Sequence, residues 1–242
     1  MAEKRTEAHH QNAEGLDIQA PDAILSFLAD AQIEAAKAVR GAIPAIAAAA
    51  EIVAERLKDG GRLAYAAAGS SGLIAISASG STPYAVAALE DARSRGAATI
   101  AIANNRDVPL FRLADVAIVL ETPPELIAGS TRMGAGTAQK IALNMLSTLA
   151  AIHLGHVHDG YMVNLTADNI KLRDRAARIV AAIGGCGRDD AARLLEKSGG
   201  VVKTAILLAA GAANADAAEK ILEGTGRKLR PALSAIEGSK GR

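Results

Sequence analysis

The segment Leu73-Ile74-Ala75-Ile76-Ser77-Ala78-Ser79-Gly80-Ser81-Thr82-Pro83 decides the fold. Its apolar first half is typical of a buried strand, and Ser79-Gly80-Ser81-Thr82 is typical of a tight turn. Pro83 then predicts the first turn of a helix, which we expect over 83–95. A strand, a Gly/Ser turn and a helix in this order can bind an anion, because a helix N-terminus offers N–H groups without intrahelical partners.

Further helices and strands alternate on both sides of this segment. The sequence predicts helices that begin near Pro21, Ala42 and Gly136, and strands over 62–68, 98–103 and 116–120. Alternating strands and helices indicate βαβ units, and therefore an α/β fold with a parallel central sheet.

The last third of the chain has a helical pattern only. Short helices are predicted over 167–183, 188–197, 201–210 and 214–223, several of them ended by glycine pairs. We therefore expect a polar N-terminal arm (1–20), an α/β domain (21–166), a small helical domain (167–233) and a frayed tail (234–242).

A second Gly/Ser turn, Gly69-Ser70-Ser71-Gly72, follows the predicted strand 62–68. The carboxyl ends of parallel strands are where open α/β sheets bind ligands. The two turns therefore predict a phosphate site, whose residues are Ser70, Ser71, Ser79, Gly80, Ser81 and Thr82. Neither turn matches the P-loop or the dinucleotide-binding fingerprint, and either one alone is typical of an ordinary turn or helix cap.

A third polar segment, 129–137, leads into the longest predicted helix. Its Ser130 and Thr131 are candidates to bind a sugar or a phosphate, although a serine or threonine here is also typical of a helix cap. Glu125, just upstream, is a weak candidate for a general base; a capping or solvated role is the alternative.

The distance between the first two turns is anomalous. One strand ends near Ala68 and the next apolar run begins at Leu73, whereas a parallel crossover needs about a dozen residues or more. Either the two runs form an antiparallel hairpin, or a stretch of chain is absent between Gly72 and Ile76. We favour the second interpretation, with a break near Ala75–Ile76, because a hairpin would place the two turns at opposite ends of the strands.

Composition excludes several functions. The formal net charge is +1 and aromatic residues make up 2% of the chain, so neither a basic stripe nor a base-stacking platform is present, and we expect no nucleic-acid partner. We see no signal peptide and no membrane-spanning stretch, and the single cysteine, Cys186, agrees with a reducing, cytoplasmic location. His153, His156 and His158 are better explained by a polar helix end than by a metal site, so we expect no metal.

The motifs together resemble one family, the N-acetylmuramic acid 6-phosphate etherases. The resemblance is carried by Ala67-Ala68-Gly69-Ser70-Ser71-Gly72, by Ile76-Ser77-Ala78-Ser79-Gly80-Ser81-Thr82-Pro83-Tyr84, and by Ile127-Ala128-Gly129-Ser130-Thr131-Arg132-Met133-Gly134-Ala135-Gly136-Thr137-Ala138-Gln139-Lys140. The Gly-Ser-Thr-Arg-Met segment is the most specific of these. Segments 142–148, 154–157 and 162–165, and the polar start at Thr6-Glu7, fit as well, so the resemblance covers nearly the whole chain.

The resemblance implies a sugar isomerase (SIS) fold, a homodimer and a phosphorylated amino sugar as substrate. It implies cleavage of the D-lactyl ether of N-acetylmuramic acid 6-phosphate, which gives N-acetylglucosamine 6-phosphate and D-lactate during peptidoglycan recycling. No metal or cofactor is implied. One carboxylate would remove a proton next to the open-chain aldehyde, and another would protonate the leaving group.

The chain departs from the family at the anomalous junction. In the family, about two βα units with both catalytic glutamates separate the first Gly/Ser turn from the Ser-Ala-Ser-Gly strand, which amounts to roughly 60–70 residues. Either those residues are missing from this sequence or the protein has lost them, so the acid and base are unknown. Two alternative functions are a non-catalytic sugar-phosphate-binding regulator and a sugar-phosphate isomerase that uses Glu125.

Overall fold

The fold is described from a computed structural model, which covers Thr6, His10 and residues 20–58, 60–65, 72–167 and 170–240. The chain divides into two compact units, Met1–Ala150 and Ala151–Arg242.

The described residues of the first unit form four helices, two 3₁₀ turns and four strands. The helices are α1 (Pro21–Lys37), α2 (Ile43–Lys58), α3 (Pro83–Ser94) and α4 (Gly134–His153), which ends just beyond the unit; the 3₁₀ turns are Ala38–Ala42 and Pro109–Leu113; the strands are β1 (Leu63–Tyr65), β2 (Gly72–Ile76), β3 (Ala98–Ala103) and β4 (Val116–Val119). Pro21 and Pro83 each occupy the first turn of a helix, where the missing N–H costs no intrahelical hydrogen bond.

The four strands form one parallel sheet in the order β1-β2-β3-β4. Within β2 and β3, successive side chains point to opposite faces of the sheet, so the apolar run of each strand serves two cores. Ile74 and Ile100 belong to a core with α2 and α4, whereas Leu73 and Ala101 belong to a core with α3. The result is a three-layer sandwich, which confirms the α/β fold with a parallel sheet predicted from the sequence.

The junction between β1 and β2 excludes one of the two interpretations of the sequence. The two strands are parallel, with Leu63 opposite Gly72, so the antiparallel hairpin is wrong. The favoured interpretation, a stretch of chain absent near Ala75–Ile76, stays a prediction; β2 itself pairs without interruption with β3 through Ile76. The short connection remains, and it is residues 66–71, which lie outside the described residues.

In the second unit, the part of the chain that the structure describes forms a short hairpin and five helices. These are β5 (Val157–His158), β6 (Tyr161–Met162), α5 (Ile170–Gly184), α6 (Arg188–Lys197), α7 (Val202–Ala209), α8 (Ala215–Gly224) and α9 (Leu229–Lys240). Its core is aliphatic and is centred on α7, from which Val202, Ala205, Ile206 and Leu207 are buried.

Two boundaries lie elsewhere than the sequence led us to expect. The compact units divide after Ala150 rather than after residue 166. Helix α9 extends to Lys240 through the segment 234–242 that we expected to be a tail, because Leu229, Ala232 and Ile236 form one apolar face that packs into the helical core.

Candidate functional site

The turn between β2 and α3 is a network of hydroxyl groups. The hydroxyl of Ser77 lies 2.8 Å from that of Thr82 and accepts the N–H of Gly80 at 3.0 Å. The hydroxyl of Ser79 accepts hydrogen bonds from Ser81, from its N–H at 3.3 Å and from its hydroxyl at 3.2 Å. Ser77 is buried, whereas Ser79 and Ser81 are half-buried and Thr82 is exposed, so the network reaches from the interior to the surface.

Gly80 allows this turn to pack closely on the rest of the unit. Its φ is +67°, in the left-handed region, and a Cβ on it would lie 2.3 Å from Cγ2 of Val108. The carbonyl of Gly80 accepts the N–H of Leu110 at 3.2 Å, which fastens the turn to the 3₁₀ turn Pro109–Leu113. The glycine is therefore needed for both conformation and space.

The turn leads directly into the N-terminus of α3. Thr82 is the residue that precedes this helix, but its side chain does not cap it; the hydroxyl contacts Ser77 instead. The positive end of the helix dipole therefore lies beside the hydroxyl network. Hydroxyls next to a helix N-terminus can bind a phosphate without a lysine.

Two buried asparagines follow β3 at the same edge of the sheet. Asn104 donates to the carbonyl of Leu120 at 3.2 Å and accepts the amide of Gln139 at 2.7 Å, which joins the ends of β3 and β4 to α4. Asn105 donates to the carbonyl of Ala78 at 3.0 Å, next to the hydroxyl turn. These amides hold the loops of three strands in one arrangement.

The loop before α4 carries Ser130 and Thr131, both half-buried. It is shaped by backbone hydrogen bonds: the carbonyl of Ser130 accepts the N–H of Met133 at 3.1 Å, and that of Thr131 accepts the N–H of Gly136 at 2.9 Å. Neither side-chain hydroxyl has a hydrogen-bond partner in the described part of the chain. Both hydroxyls are therefore available to a ligand.

Glu125 caps α4. Its side chain is buried, and its two oxygens accept the N–H groups of Gly134 and Ala135, each at 2.9 Å. A carboxylate is favourable at the positive end of a helix dipole. Because both oxygens are occupied in this way, the geometry supports the capping alternative for Glu125 and gives no support to a general base.

The site predicted from the sequence is only partly within the described structure. Ser70 and Ser71 lie outside the described residues, and Gly72 is the first residue of β2. The sequence analysis missed Ser77, Asn104 and Asn105. A signal was present for the asparagines, since polar residues directly after a buried strand mark the same sheet edge as the Gly/Ser turns.

The three histidines lie near one another in sequence without forming a larger cluster of possible metal ligands among the described residues. No group of three or more His, Cys, Asp or Glu side chains that could hold a metal occurs among the residues that the structure describes. His158 lies 3.4 Å from the carboxylate of Asp159, and burial lowers the pKa of both His156 and His158. A cavity of about 290 Å³ in the helical unit, lined by Arg173, Leu195 and Gly200 among others, includes none of the predicted site residues.

The first unit is a three-layer sandwich with a parallel central sheet and a hydroxyl-rich turn before a helix. The SIS domain family matches residues 70–154, so the class of protein is a SIS-domain protein. The chain is 36% identical to an N-acetylmuramic acid 6-phosphate etherase of Deinococcus radiodurans, with 95% of each chain covered. It is 34% identical to one of Mycolicibacterium smegmatis, over 95% of this chain and 97% of the relative. The chain belongs to the N-acetylmuramic acid 6-phosphate etherase family, as the motifs predicted.

A solved structure, the Vibrio vulnificus NanR protein complexed with ManNAc-6P, covers 59% of this chain and 66% of its own. The TM-score is 0.35 and the identity 18%, a likeness too small to carry an argument.

The alignment with the Deinococcus radiodurans protein extends over 290 positions, whereas the present chain has 242 residues. Because 95% of the chain, about 230 residues, is aligned, about 60 of these positions have no counterpart in it. The difference is close to the 60–70 residues that the family resemblance led us to expect.

Proposed function

We propose that the protein is a carbon–oxygen lyase that cleaves the D-lactyl ether of N-acetylmuramic acid 6-phosphate. The products would be N-acetylglucosamine 6-phosphate and D-lactate. The observation that carries the proposal is the match to etherases over 95% of the chain, which includes the hydroxyl turn and the loop before α4. We infer that these two segments bind the sugar phosphate.

The phosphate would bind at the hydroxyl network Ser77–Thr82. A phosphate monoester carries about two negative charges at neutral pH and several acceptor oxygens, so it needs donors. Hydroxyls of this turn and N–H groups of the first turn of α3 supply donors that are neutral, and the dipole of α3 supplies the favourable potential. The free hydroxyls of Ser130 and Thr131 would bind the same ligand.

We propose that the roughly 60 unmatched positions fall between β1 and β2, where six residues connect two parallel strands. A parallel crossover needs about a dozen residues or more. The resemblance places both family carboxylates in that stretch. Either this sequence omits those residues or the protein has lost them, and an intact-mass measurement of the protein from its own cells would distinguish the two. A mass clearly above 24.6 kDa would show that the protein contains the additional residues.

We also propose that the protein is a cytoplasmic homodimer that acts in peptidoglycan recycling. No helix in the described ranges has the length and apolar character needed to cross a bilayer. Helix α1 exposes apolar side chains, with Leu25 66% and Ile33 55% accessible. Such a surface is typical of a contact with a second subunit. Sedimentation equilibrium would test the dimer, and a monomer at micromolar concentration would contradict it.

The central experiment is to incubate the protein with N-acetylmuramic acid 6-phosphate in ¹⁸O-enriched water and to measure D-lactate. Elimination breaks the bond between the sugar carbon and the ether oxygen, so that oxygen leaves with D-lactate, and the water added afterwards places ¹⁸O on the sugar. We expect both products, with the label in N-acetylglucosamine 6-phosphate only. Binding without release of D-lactate would instead indicate a sugar-phosphate-binding regulator.

A matched pair of variants tests the binding residues. Ser79→Ala removes a hydroxyl from the network, and we expect it to weaken binding roughly ten- to a hundredfold, since a hydrogen bond to a charged group contributes about 1.5–3 kcal/mol. Ser94→Ala removes the hydroxyl of an exposed serine near the other end of α3, which bonds only a local carbonyl, and should leave binding unchanged. Equal effects of the two changes would contradict the assignment.

A further inference from the structure

Thr6 lies 99 residues from Asn105 in sequence, yet the two side chains are joined. The Asn105 amide donates to the Thr6 hydroxyl at 3.0 Å, and the Thr6 N–H donates to the Asn105 side-chain oxygen at 3.4 Å. Thr6 is only 2% exposed, although it belongs to a segment that the sequence analysis took as a polar arm. A threonine this deeply buried needs partners for its polar groups, and Asn105 supplies them.

Thr6 also reaches the loop before α4. Its carbonyl accepts the N–H of Gly129 at 3.2 Å, directly before Ser130 and Thr131. Asn105 in turn donates to the carbonyl of Ala78 at 3.0 Å, directly before Ser79. A single chain of hydrogen bonds therefore runs from the hydroxyl turn through Asn105 and Thr6 to the loop before α4.

We propose that Thr6 is a positioning residue that sets the distance between the two sugar-phosphate-binding loops. It needs no contact with the ligand for this role, because it holds the residue before each loop through Asn105 and Gly129. The proposal rests on the proposed function, since it assumes that Ser79 and its neighbours bind the same ligand as Ser130 and Thr131.

The physical reason is preorganisation. A ligand that binds two loops must also restrict their relative motion, and that entropic cost reduces its affinity. Hydrogen bonds already present in the free protein restrict the motion beforehand. Removing the Thr6 hydroxyl takes away an acceptor from the buried side-chain amide of Asn105. The connection between the two loops is then weaker.

The test compares Thr6→Val with Thr99→Val. Both changes replace a buried threonine of the same unit by a residue of nearly the same shape, and each removes hydrogen bonds of the hydroxyl. Thr99 is the second residue of β3, at the opposite end of the strand from Asn105, where its hydroxyl donates to the carbonyl of Leu113 at 3.0 Å. Thr99→Val therefore reports the stability loss that does not involve the site.

Binding of N-acetylglucosamine 6-phosphate, the proposed product, is measured by calorimetry, because the proposed substrate would be consumed during the titration. Stability is measured by thermal unfolding. We expect Thr6→Val to raise the Kd about fivefold, the equivalent of one hydrogen bond of about 1 kcal/mol. Thr99→Val should leave the Kd unchanged although it lowers Tm at least as much, because the Thr99 hydroxyl takes part in three hydrogen bonds. Thr6→Ser, which keeps the hydroxyl, should bind as the wild type does. An unchanged Kd for Thr6→Val, or an equal rise for Thr99→Val, would overturn the proposal.

Asn105→Ala provides a second route if Thr6→Val does not fold. It removes the same connection from the other side, so we expect a rise in Kd of at least the same size. The double variant should show no further rise, because both changes break one chain of hydrogen bonds. Additive effects, or an unchanged Kd for Asn105→Ala, would count against the proposal. Failure of the wild type to bind the probe would instead overturn the proposed function and with it this inference.

Discussion

Each of the two compact units has a buried polar network, but the networks differ in charge. In the first unit, the buried groups that link the loops after the strands are neutral hydroxyls and amides, such as those of Ser77, Asn104 and Asn105. The ion pair Arg106–Glu121 at the same edge lies at the surface. In the helical unit, Lys203 is 3% exposed and donates to the carbonyl of Arg227 at 2.8 Å, while Glu219 accepts hydrogen bonds from Thr204 and Arg227.

The pKa values in the helical unit reflect these charges. Burial, with the nearby charge of Arg227, lowers the pKa of Lys203, and the hydrogen bond from Thr204 lowers that of Glu219. Charged groups in such a network are already partnered. The neutral network keeps its dipoles available for an anion without introducing a counter-ion, as the binding role that we propose for it requires. The charged network instead links helices of the second unit to one another.

The largest effect is expected from Gly80→Ala, which breaks the neutral network. The new Cβ would overlap Val108, and φ is +67°, so we expect a loss of about 3 kcal/mol in the free energy of unfolding and no measurable sugar-phosphate binding. Gly96→Ala is the control: its φ is +73°, but nothing lies within 4 Å of its Cβ, so only about 1 kcal/mol should be lost. Urea unfolding measures both, and equal losses would show that the contact with Val108 is unimportant.

The next largest effect is expected from Lys203→Met, which tests the charged network of the helical unit. It keeps most of the side-chain stem but leaves the carbonyl of Arg227 without its donor, so we expect a loss of about 2 kcal/mol. Lys220→Met, at an exposed position of α8, should change stability by less than about 0.5 kcal/mol. Faster amide exchange in α7 for the first variant alone would confirm the role of Lys203. Unchanged exchange would show that the helices cohere without it.

Glu125→Gln tests a buried carboxylate at the edge of the neutral network. As a cap of α4, it should lose about 1 kcal/mol of stability when its charge is removed, because an amide group repels one of the two N–H donors. Glu90→Gln, on the exposed side of α3, is the control for loss of a carboxylate. If Glu125 were the general base, Glu125→Gln would lower kcat by orders of magnitude and leave Tm unchanged. That result would contradict the role of Glu125 as a helix cap.

The smallest effect is a dependence of the helical unit on pH. Burial holds the pKa of His156 and His158 below the ordinary value of about 6.5 that applies to the unfolded chain. As the pH falls through 6.5, the unfolded state takes up protons that the folded state does not, so the stability of this unit should decrease between pH 7.5 and pH 5. Amide exchange in the peptides of β5 and α7 measures it. A double His→Gln variant should lose part of the dependence, and an increase in stability at low pH would contradict it.

Much of the fold could be predicted from local patterns. The bounds of β3 agree with the predicted strand, and the ends of α2 and α3 lie within a residue or two of the predicted ends. The agreement is close because the signals used, namely the periodicity of apolar residues and the positions of proline and glycine, depend only on residues near one another in the chain. Helix α9 was not predicted, because Gly238 and its polar neighbours are typical of a frayed tail. Its apolar face of Leu229, Ala232 and Ile236 is recognised only from its packing in the helical core. The hydroxyl turn was found because Gly/Ser turns after strands have a recognisable composition, and its role in binding stays a prediction.

The sequence by itself determined the class of fold, the position of the hydroxyl turn and the family, since each depends on residues that are neighbours in the chain. The tertiary structure alone decided that Thr6 lies against Asn105, that Glu125 caps α4 and that Lys203 is buried. The physical reason is that a hydrogen bond between residues 99 positions apart leaves no periodic or compositional trace. Such contacts depend on which surfaces the folded layers bring together.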